Sequence, residues 1–207
     1  MKYQSNRKSI DAALQRGMAN GLEAAATHYQ SRVKQAMSKH ASNRGNGGSA
    51  SPPGTPPGVR SGNLRRSVQI DRSQNKGPRP RVRVGTNVEY APIHEFGGTI
   101  AAKGGGLAVP IHPDAKRASE QGRGPRDFAD LIFIPRAGKP PLLVRDTGGQ
   151  WDIMYVLPKR VILPARPVWR PTFKRELKTI KAIIRRGVDA ALDRVAGLPG
   201  LSAGGAR

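Results

Sequence analysis

The sequence predicts an α+β fold: a mainly antiparallel sheet flanked by long N-terminal and C-terminal helices, with extended loops or arms. Three observations predict it. Apolar residues recur every three or four positions near both ends of the chain, as they do along one face of a helix. Between those ends lie short β-branched and aromatic runs of strand length, each bounded by Gly, Pro or Asn. Two further stretches, rich in Gly, Ser and Pro, have almost nothing to bury. At 207 residues, one domain with generous arms fits better than two.

The first helix is expected over 5–40, within an N-terminal segment 1–41. Ser5 or Asn6 caps it, and Ile10, Leu14, Met18, Leu22, Ala25, Tyr29, Val33 and Met37 keep a 3.6-like period. Gly17 and Gly21 stand beside that stripe, where an interior glycine costs about 1 kcal/mol relative to Ala. Either another backbone packs closely there, as at a contact between subunits, or the glycines are simply tolerated; the second reading is favoured. Residues 42–60, SNRGNGGSASPPGTPPGVR, form a linker or arm. This arm should be mobile in isolation, so order within it would imply a neighbour holding it. Its PPGTPPG segment reads as a spacer rather than a proline-rich ligand.

Residues 61–196 make the α+β domain. Ser61–Ile70 is a turn leading into a strand, and Arg79–Gly85 alternates basic residues with valine, which puts Arg81 and Arg83 on a wet face. The two runs suggest a hairpin. Tyr90–Gly98 is one helical turn ended by glycine, with Tyr90, Ile93 and Phe96 facing the core at spacing three. An insertion loop, 99–127, contains LAVPI as a short strand. LIFIP (131–135), LLVR (142–145) and WDIMYVL (151–157) are further strands, the last two joined by the turn Asp146–Gln150. Residues 197–207 should fray.

The centre of this arrangement is Val161–Trp169, VILPARPVW. Val161, Ile162 and Leu163 read as the end of a buried strand, and Pro164, which has no N–H to donate, stops the ladder. Pro167 and Pro171 each suit the first turn of a helix, with Pro171 the better start. From there Phe173, Leu177, Ile180, Ile184, Val188, Leu192 and Val195 line one helical face.

Composition narrows the chemistry. Thirty-six Lys and Arg stand against 14 Asp and Glu, a net charge of +22, with no cysteine. Such a field attracts nucleic acid, an anionic surface or acidic proteins. The lack of thiols removes disulfides and zinc fingers. No apolar run approaches the roughly 18–20 residues of a membrane span. The start MKYQSNRKS lacks a signal-peptide core, so synthesis in the cytoplasm is expected. No cofactor is implied. Of the four histidines, only His94-Glu95 with His112 and Asp114 resemble a metal or acid–base cluster. Their spacing fits no zinc signature. Lys103–Gly106 is not a phosphate loop, and neither GxSxG nor HExxH occurs. A hydrolase using His94 and Glu95 is therefore poorly supported. The remaining signal is a basic ridge: Arg170, Lys174, Lys178, Lys181 and Arg185 share one face of the last helix. It could follow a phosphate backbone without reading sequence, or meet an acidic protein, or simply be solvated.

SGNLRRSV (61–68), VGTNVEYAPIHEFGGTI (84–100), LAVPIHPDA (107–115), PRDFADLIF (125–133) and MYVLPKRVILPARPVW (154–169) occur in one order. Together they resemble the phage virion-morphogenesis family, the tail-completion proteins of tailed bacteriophages, especially the Mu-like type. The resemblance covers roughly 60–173, with Val168-Trp169 departing from the usual Phe-Leu. It implies a non-enzymatic virion protein of the tail or neck, made in the host cytoplasm, that completes the tail and joins it to the head as a ring, expected to be a hexamer. The implied partners are other copies, the tail tube, the head–tail connector proteins and packaged DNA in the lumen, with no membrane. The assembly or corner residues would be Tyr90, Ile93, His94, Glu95, Phe96, Gly97, Gly98, Pro164, Arg166 and Pro167. The rival reading is a basic double-stranded nucleic-acid-binding protein.

Overall fold

The structure, a computed structural model, describes residues 7–38, 51–59 and 61–196. The expected cap at Ser5 or Asn6, the Gly/Ser run before Ser51 and the terminal tail lie outside the described residues. Helices α1 (Arg7–Ser38), α2 (Asn63–Arg66), α3 (Ala91–Phe96), α4 (Pro113–Glu120) and α5 (Trp169–Ala196) alternate with eight strands. The strands are β1 (Gln69–Asp71), β2 (Arg83–Gly85), β3 (Gly98–Ala101), β4 (Val109–Pro110), β5 (Leu131–Ile134), β6 (Leu142–Asp146), β7 (Trp151–Val156) and β8 (Arg160–Leu163). Every strand pairing is antiparallel. The chain is α+β, with long helices at either end of a sequence of antiparallel strands. It divides into two compact units.

The first unit comprises Met1–Lys39, Leu64–Val88 and Val168–Arg207. Here α1 and α5 run antiparallel: Gly17 meets Ala191 and Gly187, Gly21 meets Ile184, and Tyr29 meets Phe173. The seam is made of glycine. A Cβ built on Gly17 would lie 2.7 Å from the Ala191 Cβ, one on Gly21 2.7 Å from the Ile184 carbonyl oxygen, and one on Gly187 2.7 Å from the Gly21 Cα. Gly17 and Gly21 are thus neither merely tolerated nor turned toward another subunit; they let two backbones of one chain touch. The same seam changes which residues are buried. The covered face of α1 is Ala13, Gly17, Gly21, Ala25, Ala26, Val33, Ala36 and Met37, while the expected stripe member Met18 is exposed. Helices this close accept small side chains between them and push large ones to the flanks.

Helix α5 begins at Trp169, two residues before the expected Pro171. Pro171 costs nothing there, because the first N–H groups of a helix have no intrahelical acceptor; the bond from Thr172 N–H to the Val168 carbonyl is 3.3 Å. Its buried positions are Thr172, Glu176 and Ile180, whereas Phe173 and Leu192 are exposed. The β1–β2 hairpin forms as expected, in register Gln69↔Gly85 and Asp71↔Arg83, with Arg81 and Arg83 exposed. Gln30 Nε2 donates to the Val68 carbonyl at 2.8 Å and Asn75 Nδ2 to that of Ala19 at 3.0 Å. At about 100° per residue, Ala19 and Gln30 point away from Gly17 and Gly21, so the hairpin and α5 occupy opposite sides of α1.

The second unit comprises His40–Asn63 and Glu89–Pro167. Its four-stranded sheet has the order β4-β7-β6-β5, and β3 pairs with β8 in a separate ribbon. Ala115, Met154 and Tyr155 form a buried cluster with Phe128, Leu131 and Leu143 against it. The turn between β6 and β7 closes through Thr147 N–H to the Gln150 carbonyl and Gly149 N–H to Asp146 Oδ1, each at 2.9 Å. Two expectations need correction here. The stretch 99–127 is not simply a loop with one strand, since it also contains most of β3, the eight-residue α4 and a 3₁₀ turn at Pro125–Asp127. Nor is 161–163 a buried strand end: β8 has β3 as its sole partner and Ile162 is 74% exposed. An apolar β-branched run reports strand propensity, and only a central strand turns that into burial.

Candidate functional site

Two stretches far apart in sequence, 90–98 and 163–166, meet in the second unit. Helix α3 follows Tyr90, with Pro92 in its first turn, where a missing N–H is harmless. Gly97 ends it at φ 70°, a left-handed conformation open to glycine, and donates its N–H to the Ile93 carbonyl at 2.9 Å. The same glycine is where the second stretch presses in. A Cβ on Gly97 would fall 2.8 Å from the Ala165 nitrogen and 2.9 Å from the Leu163 carbonyl oxygen. Gly98 then starts β3, opposite Leu163, and Pro164 follows the end of β8. Arg166 N–H donates to the His94 carbonyl at 2.6 Å.

A third segment completes the corner. The Arg166 Nε donates to the Ser51 carbonyl at 2.7 Å, and Gly54 N–H to the Ala165 carbonyl at 2.9 Å. Thr55 closes a turn on the Pro52 carbonyl through its hydroxyl at 2.7 Å, and Pro57 is buried. The expected mobile Pro-rich arm is therefore strapped down at 51–57, and the neighbour that holds it belongs to the same chain. Burial, and then the Arg166 charge, lower the His94 pKa, so His94 is neutral near pH 7. Its ring meets Tyr90 edge-on at 5.7 Å.

Of the expected corner residues, His94, Gly97, Pro164 and Arg166 come together as described. Tyr90, Ile93 and Phe96 do not make the core face that spacing three suggested. Ala91 and Glu95 are buried, while Tyr90 is 42% and Phe96 60% exposed. Pro167 is the last residue before the boundary between the two units, so the stretch expected to be a structural centre is where they divide.

His112 has another task. Its Nδ1 accepts the Asp114 N–H at 3.2 Å and caps α4, and the same nitrogen lies 3.6 Å from the Asp114 carboxylate. Among the described residues, no three His, Asp or Glu side chains gather as metal ligands. Arg145 lies over the Phe128 ring at 5.2 Å with its Nε 2.7 Å from Asp130 Oδ2, a charge contact that lacks hydrogen-bond alignment.

In the first unit the basic ridge forms as a row. Arg170, Lys174, Lys178, Lys181 and Arg185 are all exposed on α5. The acid in that part of the helix, Glu176, points inward instead. Its Oε2 is 3.0 Å from His28 Nε2 and 3.5 Å from Arg32 Nε, and its Oε1 is 3.1 Å from Arg175 Nε. The His28 hydrogen bond leads the causes that lower the Glu176 pKa. This cluster was not anticipated from the sequence; Glu176 at an inward helical position was the available signal.

Residues 4–97 match the family model described as "Bacteriophage HK97-gp10, putative tail-component". Over those residues, a little under half of its length, the chain is similar to that phage tail-component family. No curated protein and no solved structure matched it. The matched part includes α1, the β1–β2 hairpin and α3 through Gly97. The ILPARP stretch and the basic ridge lie beyond it. No helix among the described residues is long and apolar enough to cross a membrane.

Proposed function

We propose that this chain is a structural tail-completion or head–tail joining protein, of the Mu-like type. It assembles as a ring of six copies at the head-proximal end of the tail. Its partners on this reading are its own copies, the tail tube and the connector proteins, with packaged DNA in the lumen, and its location is the virion. The observation that carries the reading is the corner. The two stretches on which the family resemblance rests, YAPIHEFGG and ILPARP, touch through Gly97, Ala165, His94 and Arg166. The family match over residues 4–97, which includes the first of these stretches as far as Gly97, supports the tail assignment. A corner that ties a strap to two motifs suits a mechanical part that docks.

The test is complementation of a phage lacking this gene. The deletion should accumulate filled heads and separate tails, and the wild-type chain should restore joined particles carrying it. The Arg166→Ala chain should fold, by circular dichroism, yet restore at least tenfold fewer particles. Normal joining in the deletion, or absence of the chain from purified particles, would overturn the proposal.

A further inference from the structure

The ridge on α5 is more specific than a diffuse positive charge. Its five cations, from Arg170 to Arg185, span about 22 Å at 1.5 Å per residue. On the helical wheel they lie roughly 130° from Glu176, Ile180, Ile184 and Gly187, the positions nearest α1. They therefore look outward. No ion pair holds Lys174, Lys178 or Lys181 among the described residues; Arg185 approaches Asp189 at 3.8 Å, and Glu176 is turned toward His28 and Arg32. A row of like charges in which the three central lysines meet no carboxylate, and Glu176 is turned away, is built for an external anion.

We infer that this row binds the phosphate backbone of duplex DNA, independently of base sequence. The row itself holds no aromatic or aliphatic residue, the exposed Phe173 and Leu192 standing only at its two ends. A docking surface for a folded acidic protein puts such residues at its centre, and single-stranded DNA would need rings to stack on. Lysines act as point charges without a fixed bonding fork, which suits phosphates that must slide past. A 22 Å row covers about six base-pair steps at 3.4 Å each. The inference rests on the reading of a tail component through whose lumen DNA passes, and it names the residues that would face it.

The test uses the full chain and a fluorescent 30-base-pair duplex of arbitrary sequence, with anisotropy read at several salt concentrations. Five contacts give a log–log salt slope of about −4.5. The triple variant Lys174→Gln, Lys178→Gln, Lys181→Gln should lower affinity at least tenfold and flatten the slope by about 3. A charge-matched control, Arg79→Gln, Arg81→Gln, Arg83→Gln, removes three exposed cations from the hairpin on the other side of α1 and should stay within twofold of wild type. Equal losses in the two triples would mean diffuse attraction, and no loss in the ridge triple would mean no site; either overturns the inference. Tighter binding to polyglutamate than to the duplex would overturn it in favour of an acidic protein. The assay needs no virion and the complementation test needs no purified DNA complex, so the two proposals fail separately.

Discussion

Glu176 is nine-tenths buried and faces His28, Arg32 and Arg175, so its neutralisation leaves two guanidinium groups without their counter-charge. Glu176→Gln should cost about 2 kcal/mol of unfolding free energy in urea titration at pH 7, less than for a fully buried pair because Arg32 and Arg175 are half-exposed. The sign of its pH dependence follows. The folded pKa lies below the ordinary value of 4.5, so the carboxylate stabilises above that pH and the contribution disappears as pH falls through the folded value. His94 acts at a higher pH. Its folded pKa is below 6.5, so folding is opposed as pH drops from there through the folded value. Urea midpoints should therefore fall in two windows, and Glu176→Gln should remove the more acidic one. Arg166→Ala should free the strap, seen as faster proteolytic cutting within 51–58 with an unchanged far-ultraviolet spectrum. Arg166 and His94 were legible as polar candidates from their places in the motifs. The partner at Ser51 was not, because a bond spanning 115 positions leaves no periodic trace.

Among the elements, the α1–α5 pair shows how a pattern can be right about a helix and wrong about its face. Both helices were legible from apolar periodicity, and the β1–β2 and β6–β7 hairpins from alternation and turn residues. The buried stripe was not, because three glycines set the helix separation and the large apolar residues had to move aside. Gly21→Ala tests this. Helix propensity favours Ala by about 1 kcal/mol, but the new methyl would meet the Ile184 carbonyl, which is backbone and cannot rotate away. The clash should win, with a net loss of about 2 kcal/mol in urea unfolding. Gly104→Ala, where nothing lies within 4 Å, should change stability by less than about 0.5 kcal/mol. Helix α4 was illegible for the opposite reason: only Ala115 and Ala118 are buried along eight residues, too little for a period to register.

For the molecule as a whole, the charge of +22 was plain from composition and its row on α5 from helical spacing, but the inward turn of Glu176 toward His28 and Arg32 was not. The corner was half legible, since both motifs were visible and their meeting was not. The close neighbours of Gly21 are all on α5 and those of Gly97 all on residues 163–165. Gly21→Ala combined with Gly97→Ala should therefore lose stability additively to within about 0.5 kcal/mol, read from urea curves of the two single variants and the double.

The first unit is assembled from three separated pieces of chain, and its two long helices stand about 130 residues apart in sequence. On a ribosome making about 5–20 residues per second, α1 waits roughly seven to twenty-six seconds for the helix that seals its glycine face. A prematurely terminated chain never receives that partner. The interleaving thus ties closure of the unit to synthesis of α5: a chain cut short of Trp169 leaves the glycine face of α1 uncovered.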